Sequence, residues 1–147
     1  MKNRSVPVDA VLPHVAYRDV AEAVAWLSRV FGFREHYRYG EAGNESGAQI
    51  FAGNACIMLH REREAGDWHG RNLCPQTLTI FIEDVEGHCE RSRAAGAEIA
   101  EEPHETVYGE FQYAAVDCAG HRWVFSRHAR DLAPEDWGAR MAGAARG

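Results

Sequence analysis

A pattern in the first half of the chain returns, in the same order, in the second half. The segment Ala16–Val20, followed by a helix-like stretch that closes at Gly32, returns as Phe81–Val85 and a second such stretch that closes at Gly96. Matched positions are about 65 residues apart, and strand-like stretches follow each glycine. A period of this length indicates that one supersecondary unit is used twice. We therefore predict a fold built from two copies of one unit.

Each copy is predicted to contain one strand, one helix and three further strands. The apolar stretch Val11–Tyr17 leads to Asp19, which has the position of a helix N-cap and is followed three residues later by Glu22. In the second copy, the strand-like stretch Thr77–Ile82 leads to Asp84, a second N-cap. The other predicted strands are 33–39, 49–52 and 55–60, then 97–101, 111–116 and 121–126, and a polar loop is predicted at 40–47.

These elements predict a single domain over residues 9–138. Its parts are a first module at 9–61, a connector at 62–75, a second module at 76–128 and a short terminal helix at 133–138. Residues 139–147 are predicted to be a frayed tail.

Composition excludes several classes of function. The chain has 16 basic and 22 acidic residues and a formal net charge of −6, so its surface repels nucleic acid and anionic membranes. No apolar run reaches the roughly 18 residues that a membrane span needs. The four cysteines, at 56, 74, 89 and 118, form no CxxC pair and are typical of reduced thiols. We expect a cytoplasmic protein with no nucleic-acid partner and no membrane partner.

Several motifs carry a family resemblance. The longest is Asp117–Trp123, followed by Pro134–Gly138, and shorter ones are Tyr17–Asp19, Ile57–Leu59 and Val107–Glu110. With its two βαβββ units, the chain resembles the vicinal oxygen chelate superfamily across about residues 9–138. This superfamily includes glyoxalase I, bleomycin-resistance proteins and extradiol dioxygenases, and the resemblance is closest to its PhnB-like, glyoxalase-like branch. Cys118, Ala119 and Phe111 depart from the residues that are common in relatives.

The resemblance implies an α+β fold in which two tandem βαβββ modules form a cup-shaped mixed sheet. In metal-using members, residues on the first and fourth strands of each module hold a divalent cation in the cup. The corresponding positions here fall near Leu12, Met58, Thr77 and Val124. Leucine and valine have no donor atom, and a thioether or neutral hydroxyl is a poor ligand for a hard cation. We therefore expect neither the family metal nor another cofactor.

The lining of the cup follows from strand alternation, because every second residue of a strand shares a face. Two loop residues, Trp68 and Tyr108, either reach its mouth and stack on a flat ligand or pack against their own lobe or a dimer partner. The predicted ligand-binding residues are His14, Met58, His60, Trp68, Thr77, Thr79, Tyr108, Phe111, Arg122 and Val124. A mostly apolar hollow with a few polar groups is typical of a small-molecule pocket.

Three of these side chains have alternative predicted roles. Arg122 binds a carboxylate or phosphate of the ligand, pairs with Glu62 or Glu110, or extends to solvent at the rim of the cup. His14 and His60 form a hydrogen-bonded part of the pocket wall, act as general acid and base, or hold a displaced metal together with Glu62.

The resemblance to the bleomycin-resistance branch implies a small-molecule-binding protein that sequesters an antibiotic or a toxic metabolite with an aromatic and an acidic part. Relatives commonly build their cups in homodimers, so we expect a homodimer that binds a small organic ligand. The alternative is a metal-dependent lyase, isomerase or dioxygenase of the glyoxalase I or extradiol dioxygenase type. A third hypothesis is an interaction module whose cup is collapsed and filled.

Overall fold

Both halves of the chain fold into a strand, a helix and three further strands. The computed structural model describes residues 3–4, 7, 11–62 and 76–143. The first module contains β1 (His14–Tyr17), α1 (Val20–Trp26), β2 (Arg34–Glu41), β3 (Asn44–Ala52) and β4 (Ala55–Arg61). The second module contains β5 (Thr77–Phe81), α2 (Val85–Ala94), β6 (Glu98–Glu105), β7 (Glu110–Val116) and β8 (Arg122–His128). A 3-10 turn at Pro134–Trp137 lies where the terminal helix is predicted.

Each module forms a four-stranded mixed sheet, and the two sheets have the same topology. The strand orders are β1-β4-β3-β2 and β5-β8-β7-β6. β1 runs parallel to β4 and β5 runs parallel to β8, whereas the other neighbouring strands are antiparallel. A parallel pair needs a long crossover connection, and each module places its helix in that connection. The α+β fold of two tandem βαβββ modules is therefore confirmed.

The helices begin at the predicted caps. The Asp19 side chain accepts a hydrogen bond from the Glu22 backbone N–H at 3.0 Å, and Asp84 accepts one from the Gly87 N–H at 2.9 Å. α1 continues as a π-helical turn, Leu27–Phe31, which ends at Gly32 with a left-handed φ of 76° that glycine adopts without strain. No helix among the described residues combines the length and apolar character needed to cross a membrane.

The predicted polar loop at 40–47 is wrong. β2 and β3 extend through this region and form a hairpin in which Glu41 pairs with Asn44. The two residues of the turn are Ala42 and Gly43, and Gly43 has a φ of 88°. Most of β2 is exposed to solvent, so its polar side chains are compatible with a strand whose backbone is paired. Composition alone does not distinguish such a strand from a loop.

The two modules pack together through the helix-bearing sides of their sheets. The Phe31 ring, at the end of the π-helical turn, lies 6.1 Å from the Trp123 ring and 4.9 Å from the Phe125 ring, both on β8. Phe33 adds a ring contact with Trp123 at 5.3 Å. These four side chains are buried and belong to one hydrophobic core. The opposite faces of the two sheets therefore point away from the core that the modules share.

A half-buried histidine also links the modules. Nε2 of His88 on α2 lies 2.9 Å from the carbonyl oxygen of Phe31, and Nδ1 lies 2.5 Å from the Tyr113 hydroxyl oxygen. Since a carbonyl oxygen only accepts, Nε2 carries a proton, and the Tyr113 hydroxyl donates its own proton to Oγ of Ser92 at 3.1 Å. Burial lowers the pKa of His88 below its usual value of 6.5, and the hydrogen bond to Phe31 opposes this shift only in part. The junction therefore contains a neutral imidazole.

We expect the stability of the fold to decrease as the pH falls below the usual pKa of histidine. Between that value and the lower pKa of folded His88, the unfolded chain binds more protons than the folded chain, so the free energy of unfolding declines with the pH. Urea unfolding at about pH 7.5 and about pH 5.5 measures the decline. It should be smaller in His88→Gln than in the native chain. The exposed His104 provides a control, because His104→Gln should leave the decline unchanged. Equal declines in all three proteins would contradict this account.

Candidate functional site

The faces of the sheets opposite the shared core carry most of the predicted ligand-binding residues. We call them the open faces. The strand register pairs His14 with Met58, Ala16 with His60, Thr77 with Arg122, and Thr79 with Val124. This register replaces two of the predicted metal-ligand positions, Leu12 and Thr77, by other residues. The strand partner of Met58 is His14 instead of Leu12, which precedes β1, and the partner of Val124 is Thr79 instead of Thr77.

The two predicted histidines are neighbours on the first open face. The ring centroids of His14 and His60 are 5.9 Å apart, with the rings tilted by 52°. His14 is exposed and His60 is half-buried. Glu62, the predicted third metal ligand, instead accepts a hydrogen bond from Nε of Arg18 at 3.4 Å. The imidazoles are thus placed to contact a ligand together, while the nearby carboxylate is engaged elsewhere.

Met58 lies in the floor of the first open face, where its sulfur accepts hydrogen bonds. Nε2 of Gln49 donates to Sδ at 3.2 Å, and the Tyr37 hydroxyl donates to it at 3.9 Å. Gln49 is fully buried, and its other amide atom, Oε1, lies 2.6 Å from Nδ1 of His36. Burial raises the pKa of Tyr37 above its usual value of 10, so its hydroxyl keeps the proton it donates. The floor is therefore an uncharged hydrogen-bonded network.

A row of aromatic and imidazole rings follows β2 and β3 on the same face. The Phe51 and His36 ring centroids are 5.0 Å apart, those of His36 and Tyr37 are 4.9 Å apart, and those of Tyr37 and Tyr39 are 6.4 Å apart. The Arg34 guanidinium lies 4.7 Å from the centre of the Phe51 ring. Together with the histidine pair, this row forms what we call the ring face, which comprises His14, His36, Tyr37, Tyr39, Phe51 and His60.

Gly47 gives Tyr39 its place in the ring face. The Tyr39 phenol lies directly against Gly47, in the space that a Cβ would occupy. A Cβ there would also lie 2.7 Å from the Leu59 carbonyl oxygen, which is closer than carbon and oxygen normally approach. A glycine at this position therefore allows a large ring to lie flat on the floor of the sheet.

On the second open face, Arg122 is paired within the module. Its Nη2 lies 2.8 Å from Oε1 of Glu101 on β6, and both side chains are partly exposed. The predicted partners Glu62 and Glu110 are wrong, because Arg122 pairs with a glutamate on β6, the outer strand of its own sheet. Both members of this ion pair are accessible, so an acidic ligand is able to compete with Glu101 for the guanidinium.

The remaining predicted ligand-binding residues do not all lie on the open face. Thr77 and Thr79 are exposed on β5, and Val124 is buried between the neighbouring strands. Tyr108 lies in the turn before β7, where its hydroxyl is 3.5 Å from Oε1 of Gln112. Phe111 faces the opposite way, packed against the shared core and under the Arg127 guanidinium, so it is not part of the open face. Trp68 lies outside the described residues.

The donors at the family metal positions do not fit a hard divalent cation. In the observed register they are one imidazole, one thioether that already accepts hydrogen bonds, one neutral hydroxyl and an alkyl group with no donor. A divalent site of this family needs several hard or imidazole donors converging on one point. Within residues 11–62 and 76–143, no three His, Cys, Asp or Glu side chains are placed to hold a metal ion together.

A family model described as the Glyoxalase/Bleomycin resistance protein/Dioxygenase superfamily matches residues 9–125. The chain belongs to this superfamily. Its membership agrees with the two modules and with open faces of the kind described above. Placement in the PhnB-like branch stays a prediction, and the comparison with curated proteins found no match.

Solved structures of the superfamily are similar over most of the chain. TioX from Micromonospora sp. ML1 is 34% identical with a TM-score of 0.71, over 82% of this chain and 99% of TioX. A glyoxalase/bleomycin resistance protein/dioxygenase family enzyme from Burkholderia phytofirmans PsJN is 21% identical, with a TM-score of 0.65, over 82% of this chain and 99% of its own. FosX from Listeria monocytogenes, a fosfomycin resistance protein, is 14% identical with a TM-score of 0.62, over 88% of this chain and 98% of FosX. The last two similarities show the fold alone.

Sequence reasoning missed much of the ring face of this superfamily member. The missed residues are His36, Tyr37, Tyr39 and Phe51 of the ring face and Gln49 of the floor. The signal for the first three is the alternation of aromatic and polar residues in 33–39, which predicts a strand but no role in a site. A register shift between Glu35 and Tyr37 also places the consecutive residues His36 and Tyr37 against the same floor, and simple alternation does not predict this.

Proposed function

We propose that this superfamily member binds a flat aromatic small molecule on its ring face and sequesters it without the family metal. The observation that carries the proposal is the combination of exposed rings with an uncharged, hydrogen-bonded floor at Met58. The exposed faces of these tilted rings favour contact with a planar apolar ligand, and the imidazoles of His14 and His60 offer hydrogen bonds at one end of the row. An antibiotic or toxic metabolite with an aromatic part and an acidic part has this chemistry.

In the homodimer proposed below, two copies bring open faces together, so the acidic part of a ligand on the ring face of one copy interacts with Arg122 of the other copy. A planar guanidinium binds a carboxylate through two parallel hydrogen bonds, and the ligand replaces Glu101 in this role. The pair is partly exposed, so exchanging one carboxylate for another costs little. The neighbour FosX is a fosfomycin resistance protein, and this is consistent with a protective role within the same fold.

We propose further that the protein is a cytoplasmic homodimer. The shared core uses the helix-bearing sides of both modules, so both open faces are directed away from it. Relatives commonly build their cups in homodimers, and two copies that bring open faces together would enclose a ligand on the ring face. The free thiols of Cys56, Cys89 and Cys118 are consistent with a reducing compartment.

Calorimetric titration with 2-naphthoate, a flat aromatic acid, tests the proposal. Tyr37→Ala removes a central ring of the row and should weaken binding about 10-fold, through lost stacking and lost apolar contact. Arg122→Gln should weaken naphthoate but not 2-naphthylmethanol, which has no charge. Phe111→Leu, on the opposite side of the second sheet, provides the control and should leave both affinities unchanged.

Native mass spectrometry of protein purified without chelator tests the metal-free part of the proposal. We expect a dimer without a bound divalent ion. A stoichiometric ion that is lost in His14→Ala or His60→Ala would favour a metal-dependent lyase, isomerase or dioxygenase and would overturn the proposal. Equal naphthoate affinity in the native protein and Tyr37→Ala would remove the ring face as the binding surface.

A further inference from the structure

A cavity lies at the carboxyl ends of the parallel strands β5 and β8, in the second module, whereas the ring face belongs to the first module. Its volume is about 400 Å³, and it is lined by Phe81, Ile82, Glu83, Arg127 and His128. This volume is within the range of small-molecule sites. The cavity combines an exposed phenylalanine ring with ionisable groups, so its chemistry differs from that of the uncharged floor at Met58.

Behind His128 lies the carboxylate of Glu110, and only one of its two oxygens has a hydrogen-bond partner. Oε1 of Glu110 lies 3.3 Å from Nδ1 of His128. Oε2 of Glu110 is buried and is the one buried side-chain nitrogen or oxygen atom, among the residues that the structure describes, without a hydrogen-bond partner. An ionised carboxylate only accepts hydrogen bonds, and burying one without a donor is costly. The missing partner at this position is therefore a donor.

The surrounding charges favour a cation over an anion. Arg127 is already committed, because its guanidinium lies 2.9 Å and 3.3 Å from the two carboxylate oxygens of Glu86. The same guanidinium lies 4.7 Å from the Phe111 ring centre on the core side of the sheet. The Arg127–Glu86 pair has no net charge. The other ionisable groups here are the acidic Glu83 and Glu110 and the basic His128.

Phe81 supplies the apolar wall of the cavity. It is 66% exposed and lies on the same face of the sheet as Ser126, its strand partner on β8. The face of an aromatic ring attracts an organic cation, and its area attracts the hydrocarbon part of the same molecule. A ligand with a charged amine next to an apolar group therefore satisfies both sides of the cavity.

We propose that this cavity is a binding site for a primary organic ammonium ion that carries an apolar or aromatic group. The exposed His128 imidazole moves aside, so that the ammonium group takes its place beside Glu110 and donates hydrogen bonds to the carboxylate, while the apolar group packs on Phe81. The proposal does not rest on the ring face, because its residues come from the second module and its ligand has the opposite charge.

Calorimetric titration with 2-phenylethylammonium tests this site. Neutral 2-phenylethanol and anionic 3-phenylpropionate should bind at least about 10-fold more weakly, since they lack the cation. Glu110→Gln keeps the shape of the side chain but removes its charge, and should weaken the ammonium ion about 10-fold. Glu98→Gln, an exposed glutamate on β6, is the matched control and should bind the ammonium ion as the native chain does.

A second variant keeps the test informative if Glu110→Gln folds poorly. Phe81→Ala changes an exposed side chain and should also weaken the ammonium ion, while 2-naphthoate binding through Tyr37 serves as an independent readout of the ring face. Equal affinities for the ammonium ion, the alcohol and the carboxylate would overturn the proposal. Unchanged ammonium binding in both Glu110→Gln and Phe81→Ala would overturn it as well, and water would then be the partner of Oε2.

Discussion

Asp117→Ala should lower the free energy of unfolding by about 2–6 kcal/mol, because two fully buried donors lose their acceptor at about 1–3 kcal/mol each. The Tyr17 hydroxyl donates to Oδ2 of Asp117 at 2.5 Å, and Nε1 of Trp123 donates to the same oxygen at 3.0 Å. The backbone N–H groups of Ala119 and His121 donate to Oδ1 at 2.9 and 3.0 Å. Urea unfolding followed by tryptophan fluorescence measures the change, and the midpoint should fall by more than about 1 M.

Two variants separate the hydrogen bonds of Asp117 from a general effect of losing a carboxylate. Asp117→Asn keeps an acceptor but loses the charge, so its loss of stability should be intermediate. Asp131→Ala removes an exposed aspartate and should change the free energy of unfolding by less than about 0.5 kcal/mol. If Asp117→Ala were as stable as Asp131→Ala, Asp117 would not be the link between Tyr17 in the first module and Trp123 in the second.

Phe31→Ala should lower the free energy of unfolding by about 3–5 kcal/mol, the usual cost of replacing a buried phenylalanine by alanine. Phe31 is 4% exposed, and its ring contacts Trp26 at 5.0 Å, Phe125 at 4.9 Å and Trp123 at 6.1 Å. It lies where the π-helical turn of the first module meets β8 of the second. The cavity left by alanine would therefore weaken the core of both modules. Thermal and urea unfolding measure the effect.

Phe81→Ala is the matched control, because it makes the same chemical change at an exposed position. Its free energy of unfolding should stay within about 0.5 kcal/mol of the native value. A small loss in Phe31→Ala together with a two-step unfolding curve would show instead that the modules unfold independently.

The two binding surfaces and the module junction lie on different sides of the sheets. The ring face lies on the open side and the cavity at Phe81 and His128 lies at the strand ends, whereas Phe31 and Asp117 belong to the shared core. Distant sites contribute to stability nearly additively, so variants at Tyr37 or Glu110 should change binding with little effect on unfolding. Measuring both properties for every variant separates a lost contact with the ligand from a lost fold.

Several features of this protein were predictable because they depend on residues close together in the chain. The repeat indicated two modules, and the N-caps at Asp19 and Asp84 marked the starts of both helices. Strand alternation correctly placed His14, Met58 and His60 on one face. A helix cap depends on bonds across three residues, and alternation depends on the geometry of an extended backbone. Both are therefore visible in a single sequence.

Other features depend on contacts between distant residues. Arg122 pairs with Glu101 instead of Glu62 or Glu110 because of how β6 lies in the second sheet. The bond between Tyr17 and Asp117 joins residues 100 positions apart. His36 and Tyr37 both face the floor only because β2 shifts its register against β3. Local periodicity contains no information on these pairings, since each depends on where a second element lies after the chain has folded.

The amino-acid pattern thus specified two βαβββ modules, the starts of their helices and the faces of their strands, through short-range capping and alternation. Long-range packing settled how the modules meet, which rings line the open face and which carboxylate is left without a donor. The physical reason is that the first set of features is stabilised by neighbours in the chain. The second set is stabilised by core packing and hydrogen bonds between residues that folding brings together.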